Sequence, residues 1–293
     1  MNHAQDSTTV SNRVSRQVRL ARFLHFQPPS LLFPVCLMVL ALAGAGTLAA
    51  QVAPPTNPVG FVLNGTFSDP STNGGMAILG LMNFNGAGVV SGPYDLEIGS
   101  GGTQTQQSVS GSFTGAYSFA SNGTGTMTLA FDSGLTLNLD VLIDGHSRGM
   151  ELVVTSCSGT NCDLTGTVIS GVGELEFDGR PHTFAAHPLN GSYGVHSTKS
   201  SPTPATSLGV WTFDHKGNAT LVVTFVSTNG VVQTGTLTGT YSAHSNGTGT
   251  ITIPPTGAQS GQTHMFVITD RGFIVLQTNR AGDGVLYGIG SVQ

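Results

Sequence analysis

Charge is scarce in this chain. Only 9% of its 293 residues are Asp, Glu, Lys or Arg, against about a quarter in an average soluble domain. So few charges exclude a charged disordered tail. Beyond the N-terminal region there is no Lys or Arg cluster, and the formal net charge is -5, so the electrostatic footprint of a nucleic-acid binder is missing. Cysteine is nearly absent, at three residues, with no CxxC pair to build a zinc site. Helical periodicity is missing too: past the N-terminal region, no window longer than about ten residues repeats at 3.6 between caps. Gly, Ser and Thr fill the gaps, a composition common in extracellular β proteins.

Residues 1–50 have a pattern of their own. Arg13, Arg16, Arg19 and Arg22 stand against a single acid, Asp6, and are followed by the apolar stretch "LLFPVCLMVLALAGAGTLAA" from Leu31 to Ala50. A basic start, an apolar middle and a small-residue end read as a secretory signal cleaved near Ala49 or Ala50. The alternative is an uncleaved anchor through residues 31–50, since about 20 apolar residues span a bilayer; Pro34 and the weak "AGAGTLAA" end favour cleavage. Cys36 then leaves with the leader, and Cys157 and Cys162 remain. In "SCSGTNCD" they flank four polar residues, and export to an oxidising compartment predicts a local disulfide. The expected location is secreted, periplasmic or at the cell surface.

After a proline-rich linker at 51–58 the chain is written twice. "LNGTF" at Leu63 returns as "LNGSY" at Leu189, "GSFTGAYS" at Gly111 as "GTLTGTYS" at Gly235, "SNGTGT" at Ser121 as the same phrase at Ser245, and "RGMELVVTS" at Arg148 as "RGFIVLQTN" at Arg271. The offsets stay between 123 and 126 residues, which indicates a tandem duplication, one unit at 59–180 and another at 181–293. Within each unit the apolar residues alternate. Leu135, Leu137, Leu139, Val141 and Ile143 share one face, and Thr136, Asn138 and Asp140 the other, the signature of half-buried strands. About eight strand candidates per unit, separated by turn residues, predict an all-β fold of two antiparallel meanders. Each is barrel-like, with a two-layer sandwich as the runner-up. Asn-Gly between alternating runs makes SNGTGT a hairpin, expected as a type I′ turn. Gly115 and Gly239, on the face of Phe113 and Leu237, suggest a bend or close backbone approach, as at a barrel corner.

Few residues suggest chemistry. "GHSRG" fits the G-x-S-x-G nucleophile pattern at Ser147, but the strand "MELVVTS" follows where a helix is required, and the second unit has only "DRG" there. SNGTGT lacks the Lys and the following helix of a phosphate loop. Glu174, Glu176 and Asp178 alternate on one strand with His182 nearby, ligand types that suit a hard cation; the bland reading is a solvated strand face. His187, His196, His215, His244 and His264 show no metal-ligand spacing, and His244 reads as an exposed turn residue. The single tryptophan, Trp211, falls near the second strand of its unit. With Tyr117 and Tyr241 it is the candidate for lining a ligand, against simple core packing.

"LNGTF", "LNGSY", "FNGAG", "FDHKGN", "GTYSAHSNGTGTITI" and "DRGFIVLQTN" together resemble uncharacterised secreted tandem β-repeat proteins of soil bacteria. The likeness covers most of both units and implies an exported, repeated β fold. That group has no established activity, so it carries over no catalytic residue, cofactor or metal site. The leading expectation is therefore an exported, non-enzymatic module that binds a small molecule or an envelope or extracellular partner. The alternative is a small-barrel enzyme or isomerase acting on a small apolar ligand. An outer-membrane barrel is disfavoured, because aromatic girdles and a terminal aromatic are missing.

Overall fold

The computed structural model describes residues 55–56, 58–69, 72–99, 107–143, 149–159, 162, 168–175, 183–199, 205–227, 230–257, 260–278 and 286–292. The leader with Cys36, most of the linker, Ser147 with the rest of the GHSRG turn before Gly149, Glu176, Asp178 and His182 lie outside these. Among the described residues there is no helix, and sixteen strands form two closed antiparallel barrels in tandem.

The first barrel comprises β1 (Val59–Asp69), β2 (Thr72–Phe84), β3 (Val89–Gly99), β4 (Gln107–Phe119), β5 (Thr124–Phe131), β6 (Leu135–Ile143), β7 (Gly149–Gly159) and β8 (Val168–Leu175). Each strand pairs with the next, and β8 returns to β1, Val59 opposite Leu175. The second repeats the plan with β9 (Asn190–Lys199), β10 (Ala205–Asp214), β11 (Asn218–Ser227), β12 (Val232–Ala243), β13 (Thr248–Ile253), β14 (Gln262–Thr269), β15 (Gly272–Gln277) and β16 (Leu286–Val292), closed by Gly290 opposite Val195. A sandwich would leave edges; closure removes them.

Alternation does the work expected of it. On β6, Leu135, Leu137, Leu139, Val141 and Ile143 are buried and Asp140 and Leu142 point out. Inside the first barrel, Phe61 meets Phe113 edge-on at 5.8 Å and Tyr94 meets Phe131 at 4.7 Å. A Cβ at Gly115 would collide with the Thr128 carbonyl, and one at Gly239 with that of Thr252, the close approach the alternation suggested.

The SNGTGT hairpins join β4 to β5 and β12 to β13, but they are not type I′ turns. Gly123 and Gly247 have φ of 86° and 80°, while Asn122 and Asn246 are absent from the positive-φ residues. Gly123 N donates to Ala120 O at 3.0 Å and Ala120 N to Thr124 O at 2.7 Å. This is a three-residue loop, a type I turn followed by a left-handed glycine. Asn122 Oδ1 instead accepts from Thr124 N at 3.1 Å and Thr124 Oγ1 at 2.7 Å, so its side chain stabilises the exit from the turn.

A second correction concerns the LNG phrases. Asn85 and Asp214 mark equivalent turns: Asn85 Oδ1 accepts from the backbone N of Ala87 and Val89, and Asp214 Oδ1 from that of Lys216 and Asn218. Three residues earlier stand Met82 and Trp211, and their partners are Val59 and Tyr193. Tyr193 therefore corresponds to Val59, not to Phe67 of LNGTF. Short turn-prone phrases match by composition, whereas the inward-facing pattern sets the register.

On β7 an extra residue, Thr155, shifts the register, so that Asn138 faces Ser156 and Leu139 faces Val154. The bulge turns Cys157 inward, opposite Leu137. Cys157 is bonded to Cys162, with Cα atoms 6.0 Å apart, and both pack on the first core. The barrels pack side by side through Val62, Ala77, Leu79 and Leu81 of the first and Val267, Ile274 and Leu276 of the second. Asp270 N donates to Leu175 O at 3.0 Å, and Thr269 Oγ1 to Glu174 Oε2 at 3.0 Å.

Candidate functional site

One end of the second barrel is sealed. Segment 183–189 crosses it: Phe184 N donates to Ser245 O at 3.0 Å and Ala243 N to Ala186 O at 2.8 Å, and Phe184 packs on the core. Tyr241 Oη donates to Leu189 O at 2.6 Å, and burial pushes its pKa up to about 12. Phe213 meets Tyr241 edge-on at 4.9 Å and Phe273 at 5.6 Å, an aromatic layer that fills this half.

The other half holds a cavity of about 210 Å³. Its deeper wall is apolar, with Val195, Trp211, Leu221, Leu237 and Val275. Trp211 lies nearly parallel to Phe213, with ring centroids 5.9 Å apart, and meets His264 edge-on at 5.8 Å. Toward the mouth the wall turns largely polar, with Ser197, Ser207, Gln233, Gln262, His264 and Gln277, and Phe225 is the apolar side chain among them. Gly235 shares that wall, and a Cβ there would touch nothing, so the glycine widens the space. Six polar or charged residues are buried among those described, and four of them, Ser197, Ser207, His264 and Gln277, line this one cavity.

The first barrel supplies an internal control. His264 lies opposite Ile251, just after the repeated hairpin, and opposite Gln277; the same places hold Leu139, opposite Met127 and Val154. Ser197 pairs with Ser207 where the first barrel pairs Leu63 with Ile78. Gln262, opposite Ile253, takes the place of Leu137, opposite Leu129. Gln233, eight residues before Tyr241, takes that of Val109, eight before Tyr117. Six inward positions that are aliphatic in one barrel are thus hydrogen-bonding in the other. Polar groups taken out of water lower stability unless something satisfies them, so the exchange calls for a role other than packing.

His264 is 4% exposed, and burial pushes its pKa down to about 4, so the imidazole is neutral at neutral pH. Its Nε2 lies 3.3 Å from Gln262 Oε1. Of the described side chains lining the cavity, His264 is the one that can ionise between about pH 2 and pH 12. The arrangement can hold a molecule and hydrogen-bond it; general acid–base chemistry would call for a second convergent group.

Of the residues singled out from sequence, Trp211 forms part of the cavity wall, Tyr241 belongs to the sealed end, and Tyr117 packs in the first barrel against Phe84 at 5.1 Å. Glu174 lies at the seam between barrels, bonded to Thr269. No cluster of three metal-ligating side chains occurs among the described residues. His244 is exposed beside its hairpin, and His196 Nε2 contacts Thr206 Oγ1 at 3.0 Å on the outer face. Sequence reasoning missed the importance of His264, Gln262 and Gln277. The signal was available in the duplication: aligning "RGMELVVTS" with "RGFIVLQTN" places Gln277 on Val154, a polar residue at an inward position. No protein-family model and no curated protein matches this chain.

Proposed function

We propose that this protein is an exported, non-enzymatic binding module, in which the second barrel carries a small molecule in its open half and the first is a filled structural companion. The observation that carries this reading is the exchange of aliphatic for hydrogen-bonding residues at matching inward positions, around a cavity in one barrel. Eight strands enclose just enough space to be filled by side chains or to hold one small ligand, and the open half of the second barrel supports the latter. The Cys157–Cys162 bond is in keeping with an oxidising compartment. Apolar residues inside and polar ones outside on β5 and β6 reverse the pattern of a lipid-facing barrel.

The test is native mass spectrometry of residues 51–293 recovered from the compartment the protein occupies in its own cells. A single small adduct is expected on the wild type, absent from the variant His264→Leu/Gln277→Val, which carries the first barrel's residues. A bare mass for the wild type under gentle desolvation, with no compound from the surrounding medium retained, would overturn the binding reading.

A further inference from the structure

We infer that the second barrel takes an uncharged, single-ring amphiphile, with its apolar ring on the wall formed by Trp211, Leu221 and Val275 and its hydrogen-bonding head at the level of His264 and Gln277. This rests on the binding reading above and adds the class of ligand and its orientation.

Among the described residues the cavity wall carries no charge: no Asp, Glu, Lys or Arg of theirs lines it, and burial holds His264 in its uncharged form at neutral pH. A charged ligand would lose its water without meeting a counter-ion. Polarity runs the same way along four of the wall strands, while β11 stays apolar from Leu221 through Val223 to Phe225 and β14 is polar at both Gln262 and His264. Ser197 is nearer the mouth than Val195, Ser207 than Trp211, Gln233 than Leu237, and Gln277 than Val275. A polyol, with hydroxyls all round, would press some of them unpaired against the apolar wall; a molecule with one polar end matches the gradient. The head is read by groups that both donate and accept: carboxamides, hydroxyls and a neutral imidazole. That favours a primary amide or an alcohol over an ether. Size limits the body. About 210 Å³ corresponds to roughly seven waters at about 30 Å³ each, below the range of about 300–1,000 Å³ typical of drug-sized ligands.

Trp211 is the chain's single tryptophan and lines the cavity, so its fluorescence reports occupancy directly. The mature chain would be titrated at pH 7 with benzamide, benzoate, benzylamine (protonated at this pH), toluene and glucose. Benzamide is expected to give a saturable change, with benzoate and benzylammonium weaker by about tenfold or more and glucose silent. In His264→Leu/Gln277→Val, checked for folding by circular dichroism, benzamide should weaken by about tenfold while toluene binds as well as in the wild type or better. Benzoate or glucose binding more tightly than benzamide, or a native adduct identified as an ion or a polyol, overturns the class and leaves the binding reading standing. Silence from every probe together with a bare native mass overturns both.

Discussion

Tyr117 and Tyr241 hold the same place in a repeated phrase, yet their hydroxyls meet different surroundings. Tyr241 Oη donates to the Leu189 carbonyl at 2.6 Å, whereas Tyr117 Oη is buried with no hydrogen-bond partner among the described residues. Removing one half of a buried bond leaves the other half unsatisfied, so Tyr241→Phe should cost about 1–2 kcal/mol. Tyr117→Phe should change stability by less than about 0.5 kcal/mol, or raise it. Urea unfolding of the two variants side by side checks the contrast. His264 makes a second prediction at this scale. Its folded pKa is depressed from the ordinary 6.5 to about 4, so between those values the unfolded chain takes up a proton that the folded chain refuses. Stability therefore falls as pH drops through this window, by roughly 3 kcal/mol in total from this group. His264→Leu should flatten that part of the profile, measured as urea midpoints at pH 7 and pH 4.5. Nothing in the letter H at position 264 distinguishes it from exposed His196 or His244; burial does, and burial comes from strands far apart in the chain.

At the level of elements, hairpins and strands were legible because their causes are local. The alternating run at 135–143 marks its own inward face, and Asn-Gly marks its own turn. The turn type was not legible. Asn-Gly suits both a two-residue I′ loop and a three-residue loop, and the choice depends on which residues close the ladder, here Ala120 and Thr124. The disulfide was legible from spacing and compartment, but its inward position follows from the Thr155 bulge, a property of the β6–β7 pairing. Closing so short a loop restrains the unfolded chain only modestly. Cys157→Ala/Cys162→Ala should therefore cost about 2 kcal/mol and leave the second barrel's cavity unchanged, with unfolding in guanidinium measuring the loss and Trp211 fluorescence the cavity.

For the whole molecule, the seam between barrels decides whether they behave as one body. Leu79, Ile274 and Leu276 face outward from their own barrels yet are at most 1% exposed, because each barrel covers the other. The sequence carried a trace of this. "MAILGLM" at 76–82 and "GFIVL" at 272–276 are unbroken apolar runs, the mark of strands buried on both faces, where neighbouring strands alternate. Calorimetry of the wild type should show one cooperative transition. Ile274→Asp places an uncompensated charge in the seam at a cost of about 3 kcal/mol or more, and should split the transition in two while Trp211 fluorescence stays native.

The sequence by itself determined the class of fold, the hairpin positions and the pairing of two cysteines, since each depends on residues a few positions apart, and it showed the duplication because whole phrases recur at offsets of 123 to 126 residues. Only the tertiary structure decided that the meanders close, which outward faces meet, and that polar residues on β9, β10, β12, β14 and β15 converge on one space. A strand's alternation shows that a residue points inward. What it finds there depends on the other strands of the barrel, and the hydrogen-bonding wall of the second barrel exists only once closure brings them together.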